Sequence, residues 1–335
     1  MKQKRSASSL VRNIVLLVLV ILGIVCLMSQ SGAAAEPVPE AVAEEAPPAW
    51  FWPVVLFGFA FVIGVIAPIS GVGGGVLFVP LATALLPFSV DFVRGTGLVM
   101  ALVSAQSSAP HLIKKGLANL RIMAPLVIVS IVFSILGSLL GLWLTNAIPT
   151  GEYYVIIALG LLLLGVFVLM VKSKKVHYPE IEEAGPFAET MELNGEWYEH
   201  DRESTVQYKT TRFRMAALCF AGVGFLGGMF GVGAGWANVP VLNLVMGAPL
   251  KVATATSMSI ISVNGAAAVW VYLAKGAILP LMVLPSVIGI TVGARIGARI
   301  SHKAKPVFAE YLVMGILLLA AILDIFKGLR GLEVF

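Results

Sequence analysis

Four glycines crowd into five residues of an apolar stretch, Gly71, Gly73, Gly74 and Gly75, and Gly231, Gly233 and Gly235 repeat the pattern 160 positions later. Glycine has no side chain to pack and loses the most backbone freedom on folding, so such clusters serve the backbone itself. The chemistry open to bare backbone in apolar surroundings is hydrogen bonding. At the start of a helix the first N–H groups lack acceptors and the positive end of the dipole points outward, which suits an anion. With Val76, Ala234 and Trp236, these glycines are candidate anion-binding residues. Thr96, Thr256 and Ser257 join them, because hydroxyls on the helix after each cluster can bind an oxyanion without burying a charge. Trp236, where the first cluster has Val76, would narrow the second site. Arg94, Lys115 and Lys275 are candidates for steering an anion; their plainer reading is snorkelling of long basic chains at helix ends.

Other chemistries have no foothold. The chain has no H-E-x-x-H, G-x-S-x-G or P-loop pattern, so nothing supports proteolysis or ATP hydrolysis, and we read the chain as not an enzyme. Cys26 and Cys219 lie in apolar segments at no ligand spacing, which argues against a metal site, a disulfide framework or a resident cofactor. No basic patch alternates with aromatics, so nucleic acid is not an expected partner.

The elements that must position these residues follow from composition. The 335 residues are 59% hydrophobic and 12% charged, against about 25% charged in soluble domains. A chain this long and this poor in charge is expected to be an all-α polytopic membrane protein. Residues 1–35 read as a signal peptide or N-terminal anchor: a basic start, an apolar run from Ile14 to Met28, and an A-x-A-like site before Glu36. Residues 36–49 form an acidic, proline-rich linker expected outside. Apolar segments follow near 50–68, 76–87, 95–113, 122–145 and 153–171, and again near 214–230, 236–248, 254–273, 278–299 and 307–326. Most can span a bilayer. The segments at 76–87 and 236–248 reach only about 18–20 Å against about 30 Å of hydrocarbon, and each follows a glycine cluster.

The two halves align without a gap at a shift of 160: Gly71 on Gly231, Pro80 on Pro240, Thr96 on Thr256, Lys115–Gly116 on Lys275–Gly276, Pro125 on Pro285. This is an internal duplication, with repeats at 50–171 and 214–335. Lysines and arginines at 114–121, at both edges of the 172–213 loop and at 295–305 place those stretches on the cytoplasmic side; Lys275 runs against the pattern. The first repeat then begins outside and ends inside, and the second does the reverse. The expected fold is therefore an inverted repeat with two glycine-tipped re-entrant or broken helix hairpins, an arrangement met in secondary transporters. Within 172–213, "ETMELNGEWYEH" suggests a small hairpin turning at Asn194–Gly195 in an otherwise solvated cytoplasmic connector.

The duplicated "GVGGGVLFVP" and "GVGAGWANVP", each followed by a Thr/Ser-bearing helix ("RGTGLVM", "ATATSMSI"), resemble the TauE/SafE sulfite exporter family over about residues 50–327. The resemblance implies an inner-membrane permease, acting mainly as an exporter of sulfite, organosulfonates or related sulfur-containing anions by alternating access. Coupling to protons fits such an anion, although no buried carboxylate stands out in the sequence as carrier. Two other readings stay open: an anion channel on the same scaffold, and a non-transporting membrane module that binds a partner through the 172–213 loop. The partners expected are a small anion and the lipid bilayer; oligomeric state is not readable.

Overall fold

The computed structural model describes residues 50–70, 74–172, 193–199, 204–301 and 306–332. The expected leader and linker at 1–49, and Gly71 and Gly73 among the candidate residues, lie outside the described residues. Ten helices and one two-stranded sheet account for most of the rest. Helices α1 (Phe51–Ser70), α2 (Gly74–Leu85), α3 (Val90–Lys114), α4 (Leu120–Ala147) and α5 (Gly151–Lys172) come first. Strands β1 (Gly195–Glu199) and β2 (Ser204–Tyr208) follow. Then come α6 (Phe213–Phe230), α7 (Gly235–Pro240), α8 (Leu250–Ala274), α9 (Pro280–Ser301) and α10 (Pro306–Gly331). Helix α7 runs on through a wider π turn, Val241–Val245, directly after Pro240, which cannot donate the usual helical hydrogen bond. Helices α4, α5, α6 and α8 are each long and apolar enough to cross a membrane.

The short helices fall where the sequence puts them, each after a glycine segment. In each case the chain comes back to where it set out. The Trp52 ring near the start of α1 meets Phe88, just after α2, with centroids 5.0 Å apart. Thr211, just before α6, donates its N–H to Met246 O, just after the π turn, at 3.1 Å.

Helix directions can be read from the close contacts. Glycines form the seams: a Cβ on Gly137 or Gly141 would lie 2.0 or 2.7 Å from the carbonyls of Phe225 and Met229, and one on Gly224 or Gly228 would lie 2.8 or 2.2 Å from those of Ser130 and Ser134. Helices α4 and α6 therefore run side by side in the same direction, at a separation only glycine permits. The α1–α9 seam repeats this, with Gly289 against the Phe57 carbonyl and Gly293 against that of Phe61. In contrast, α3 and α8 run antiparallel, with Gln106 Nε2 donating to Ser262 O at 2.9 Å and Gly265 beside Leu102. Helices α5 and α10 are also antiparallel, with Gly160 against Ala321 and Gly328 against Tyr153.

Both Lys–Gly turns are helix stops of one kind. Gly116 and Gly276, each at φ 70°, end α3 and α8. Leu117 N–H returns to Leu112 O and Ala277 N–H to Tyr272 O, the six-to-one bond of a Schellman ending that needs a left-handed residue.

The hairpin between the halves is real, but its turn is not where the sequence suggested. Gly195 pairs with Tyr208 at the open end of the ladder, and the connection falls at 200–203, outside the described residues. Asn194 is held instead by accepting from Thr210 N–H at 2.9 Å, and Gly195 lies under the Tyr208 ring, where a Cβ would sit 2.6 Å from the hydroxyl. Nor is this part a solvated connector. Leu193 and Tyr208 are buried against Ile122, Leu126, Phe220 and Leu242. Asn119 caps α4 with its side-chain oxygen and donates its Nδ2 to Leu193 O (3.1 Å) and Tyr208 Oη (2.8 Å).

Candidate functional site

The two glycine segments meet. A cavity of about 30 Å³ is lined by Gly74, Gly75 and Val76 from the start of α2, and by Val232, Gly233, Ala234 and Gly235 from the break before α7. Ala101 and Ser104 of α3 and Met258 and Ile261 of α8 complete its wall. A second cavity of about 10 Å³ shares Ala101, Gly233, Ala234 and Ile261 with the first, and adds Ser134, Gly227, Asn264 and Gly265. The first has room for water, which needs about 10–15 Å³. No charged side chain lines either one. Their polar groups are the Ser104, Ser134 and Asn264 side chains and the backbone, including the first N–H groups of α2, which a helix leaves without intrahelical acceptors. Such a lining can bind an oxyanion through neutral donors and the helix dipole.

Glycine is required here by close approach. A Cβ on Gly75 would come within 2.9 Å of the Gly97 carbonyl and 3.3 Å of the Val232 carbonyl, so the two segments touch through bare backbone. Gly233 adopts φ 72°, the left-handed turn that lets the chain reverse after α6.

The walls contain pairs that stand 160 positions apart: Ala101 with Ile261, Gly74 with Ala234, Gly75 with Gly235, and Ser104 with Asn264. Ser104 and Asn264 were visible as polar residues in apolar segments, and applying the shift to that set would have paired them. Asn264 Nδ2 donates to Ser130 Oγ at 2.6 Å, which leaves its carbonyl oxygen and second N–H for other partners.

Several predicted residues lie off the cavities. Thr96 is fully buried and donates its hydroxyl to Phe92 O at 2.8 Å, within its own helix. Thr256 Oγ1 accepts from Asn119 N–H at 3.0 Å and ties α8 to the turn before α4. Ser257 is buried with its hydroxyl unpartnered, at the position 160 beyond Gly97. Trp236 packs against the Ala105, Val223 and Ile261 cluster, and its indole N–H has no partner. Gly231, at φ 70°, backs onto Arg94, whose carbonyl oxygen would lie 2.4 Å from an added Cβ. Lys115 and Lys275 are exposed at the two helix stops.

Arg94 has a role that neither steering nor snorkelling describes. Its guanidinium is fully buried, paired with Asp91, and donates to Met229 O at 2.9 Å and Gly141 O at 3.3 Å. Tyr272 lies under it with the ring centroid 5.7 Å from Cζ, and its hydroxyl donates to the Gly228 and Met229 carbonyls at 3.1 and 3.2 Å. A cation and a phenol thus satisfy the last carbonyls of α6, where the dipole is negative and the helix breaks. Arg94 is a clamp on the second glycine turn. Asp91 in turn accepts from Thr145 Oγ1 at 2.9 Å, which ties the clamp to α4.

Residues 55–323 match the family described as Sulfite exporter TauE/SafE. The chain is similar to the probable membrane transporter protein YunE of Bacillus subtilis, 26% identical over 283 residues that cover 82% of this chain and 98% of that one. It is also similar to a probable membrane transporter protein of Methanocaldococcus jannaschii, 24% identical over 271 residues, 77% of this chain and 89% of the other. No solved structure matches the chain. Apolar helices of spanning length, a family match over most of the sequence and relatives named as probable membrane transporter proteins lead to one conclusion: this multi-pass membrane protein belongs to the TauE/SafE sulfite exporter family of transporters.

Proposed function

We propose that the chain is a secondary transporter, working chiefly as an exporter, of sulfite, organosulfonates or related sulfur-containing anions across the inner membrane, by alternating access. One observation carries this reading: two glycine segments 160 positions apart close an uncharged cavity between them, with Ser104 and the first backbone N–H groups of α2 in its wall. The helix directions support an inverted repeat, with 50–171 and 214–335 as its halves and 172–213 on the cytoplasmic side. Helices α3 and α8, and α5 and α10, are repeat-related pairs that run antiparallel, whereas α1–α9 and α4–α6 are the two copies of one parallel contact. The Trp52–Phe88 and Thr211–Met246 contacts support re-entrant hairpins, each closing on its own side. The cavity, about 30 Å³, has room for water, and in this reading the halves part to load the larger oxyanion.

The anion is held by the first N–H groups of α2, by backbone at Gly233–Gly235, and by Ser104 and Asn264. Uptake of labelled sulfite into proteoliposomes tests this. Ser104→Ala and Asn264→Ala each remove one donor, and a lost hydrogen bond to a charged group costs about 1.5–3 kcal/mol, or roughly 10- to 150-fold in apparent affinity. Thr96→Val, off the cavity, leaves affinity at the wild-type value. If both cavity variants transport sulfite with wild-type half-saturation, the anion does not sit there. A flux that never saturates and ignores a counter-gradient would favour the channel.

A further inference from the structure

Among the described residues, one fully buried acidic side chain, Asp324, has no role in anything described so far. Asp324 lies on the buried stripe of α10 with Leu317, Ala320 and Ala321, at helical spacing i, i+3, i+4, i+7. The residue is fully buried, and neither carboxylate oxygen has a hydrogen-bond partner. In that state an ionised carboxylate would cost several kcal/mol more than the neutral acid. One turn on, Lys327 does not pair with it. Its ammonium donates instead to the Thr83 carbonyl of α2 at 2.5 Å, and the Thr83 hydroxyl is also buried and unpartnered. Helix α2 is the short arm whose other end, Gly74–Val76, lines the cavity.

The groups around Asp324 are few. Helices α1 and α2 carry no titratable side chain, and α5 contributes Glu152, Tyr153 and Tyr154 at its start, with Glu152 accepting from Val90 N–H at 3.1 Å. On α10 itself Lys327 and Arg330 are the nearby cations.

We infer that Asp324 is the proton-binding site that couples this transporter to the pH gradient, with Lys327 as the switch. While α2 rests on α10, Lys327 is held by the Thr83 carbonyl and Asp324 keeps its proton. When α2 moves to open the cavity, that carbonyl leaves. The freed ammonium pairs with the carboxylate three residues back, and Asp324 releases its proton to the water admitted between α2 and α10. Release occurs while the cavity is open to one side and uptake while it is open to the other, the carboxylate regaining its proton and Lys327 the carbonyl as α2 closes, so that each full cycle carries one proton across. The coupling part of this inference rests on the transport reading above; the protonation part does not.

Two measurements on the purified full-length chain separate the two. Infrared difference spectra at neutral pH, wild type minus Asp324→Asn, should show the carbonyl stretch of a buried, protonated carboxylic acid. Sulfite accumulation is then measured in proteoliposomes at zero membrane potential under a pH gradient of one unit, with wild type and variant under the same gradient so that sulfite speciation cancels. One coupled proton supports a difference of about tenfold in accumulation ratio, which Asp324→Asn abolishes and Asp324→Glu restores. Counterflow at equal pH falls far less in Asp324→Asn than gradient-driven accumulation does. An ionised Asp324, or an Asp324→Asn protein that accumulates sulfite like wild type, overturns the inference. If wild type moves no sulfite under any condition, the transport reading fails, and the infrared band still decides whether Asp324 holds a proton. If Asp324→Asn does not fold, Lys327→Met replaces it. That variant removes the ammonium that would pair with the carboxylate, and its own absolute infrared spectrum should keep the protonated band while the gradient response is lost; an unchanged gradient response overturns the inference.

Discussion

Replacing Arg94 with methionine keeps most of the side-chain volume and removes the clamp on the break between α6 and α7. The loss can be worked from the contacts. The guanidinium pairs with Asp91, which is 16% exposed, and supplies donors to the Met229 and Gly141 carbonyls. Removing one partner of a buried ion pair costs about 3–5 kcal/mol, mainly because the other charge is left uncompensated. Here Asp91 keeps its bonds from Thr145 and Asn146 and some contact with water, so the low end applies, about 3 kcal/mol. The Met229 carbonyl keeps its bond from Tyr272 and adds little. Thermal unfolding in detergent should therefore show a clear loss of stability in Arg94→Met, and Asp91→Asn in the same chain should recover part of it, because no uncompensated charge remains. Arg94→Lys should recover little, since one ammonium cannot reproduce a fork that reaches three acceptors. Sulfite flux should fall with the stability, because Gly231 rests on the Arg94 backbone and the second wall of the cavity follows from it. A steering group behaves differently: its loss weakens apparent affinity in a way that salt screens and leaves unfolding unchanged. Wild-type unfolding of Arg94→Met with salt-dependent loss of sulfite affinity would refute the clamp.

Two further predictions concern the scaffold. Gly228→Ala places a Cβ 2.2 Å from the Ser134 carbonyl and should destabilise by about 1–3 kcal/mol through overpacking, whereas Gly58→Ala, with nothing within 4 Å, should be silent; unfolding temperatures of the two variants check this. Burial pushes the Tyr208 phenol above its ordinary value of 10.0, opposed by the hydrogen bond from Asn119. The stability its neutral form contributes is therefore fully present at neutral pH and is lost as pH rises past about 10 through the folded-state value. Tyr208→Phe should flatten that alkaline limb and cost about 1 kcal/mol at neutral pH for the lost Asn119 bond, read from unfolding curves across pH.

Composition alone determined the class of protein, because so few charges over so long a chain leave little but membrane helices. The shift of 160, carried by Gly, Pro, Thr and Lys, marked the glycine clusters and the short helices after them. Those features are local: a half-length apolar run and a backbone that must turn can both be read along the chain. Thr96 and Thr256 show where that reading stopped. Their repetition made them conspicuous, yet one hydroxyl turns back on its own helix and the other holds the turn before α4. Ser104 and Asn264, at an equally repeated position, face the cavities because α3 and α8 cross there. Arg94 and Asp324 were decided in the same way. The sequence shows a charge in an apolar helix, but only packing says whether a neighbouring helix brings it acceptors, as α4 and α6 do for Arg94, or brings nothing, as at Asp324. A side chain's partner across the bilayer interior is set by which helices touch and at what height, and that information lies in the contacts between segments rather than in any one of them.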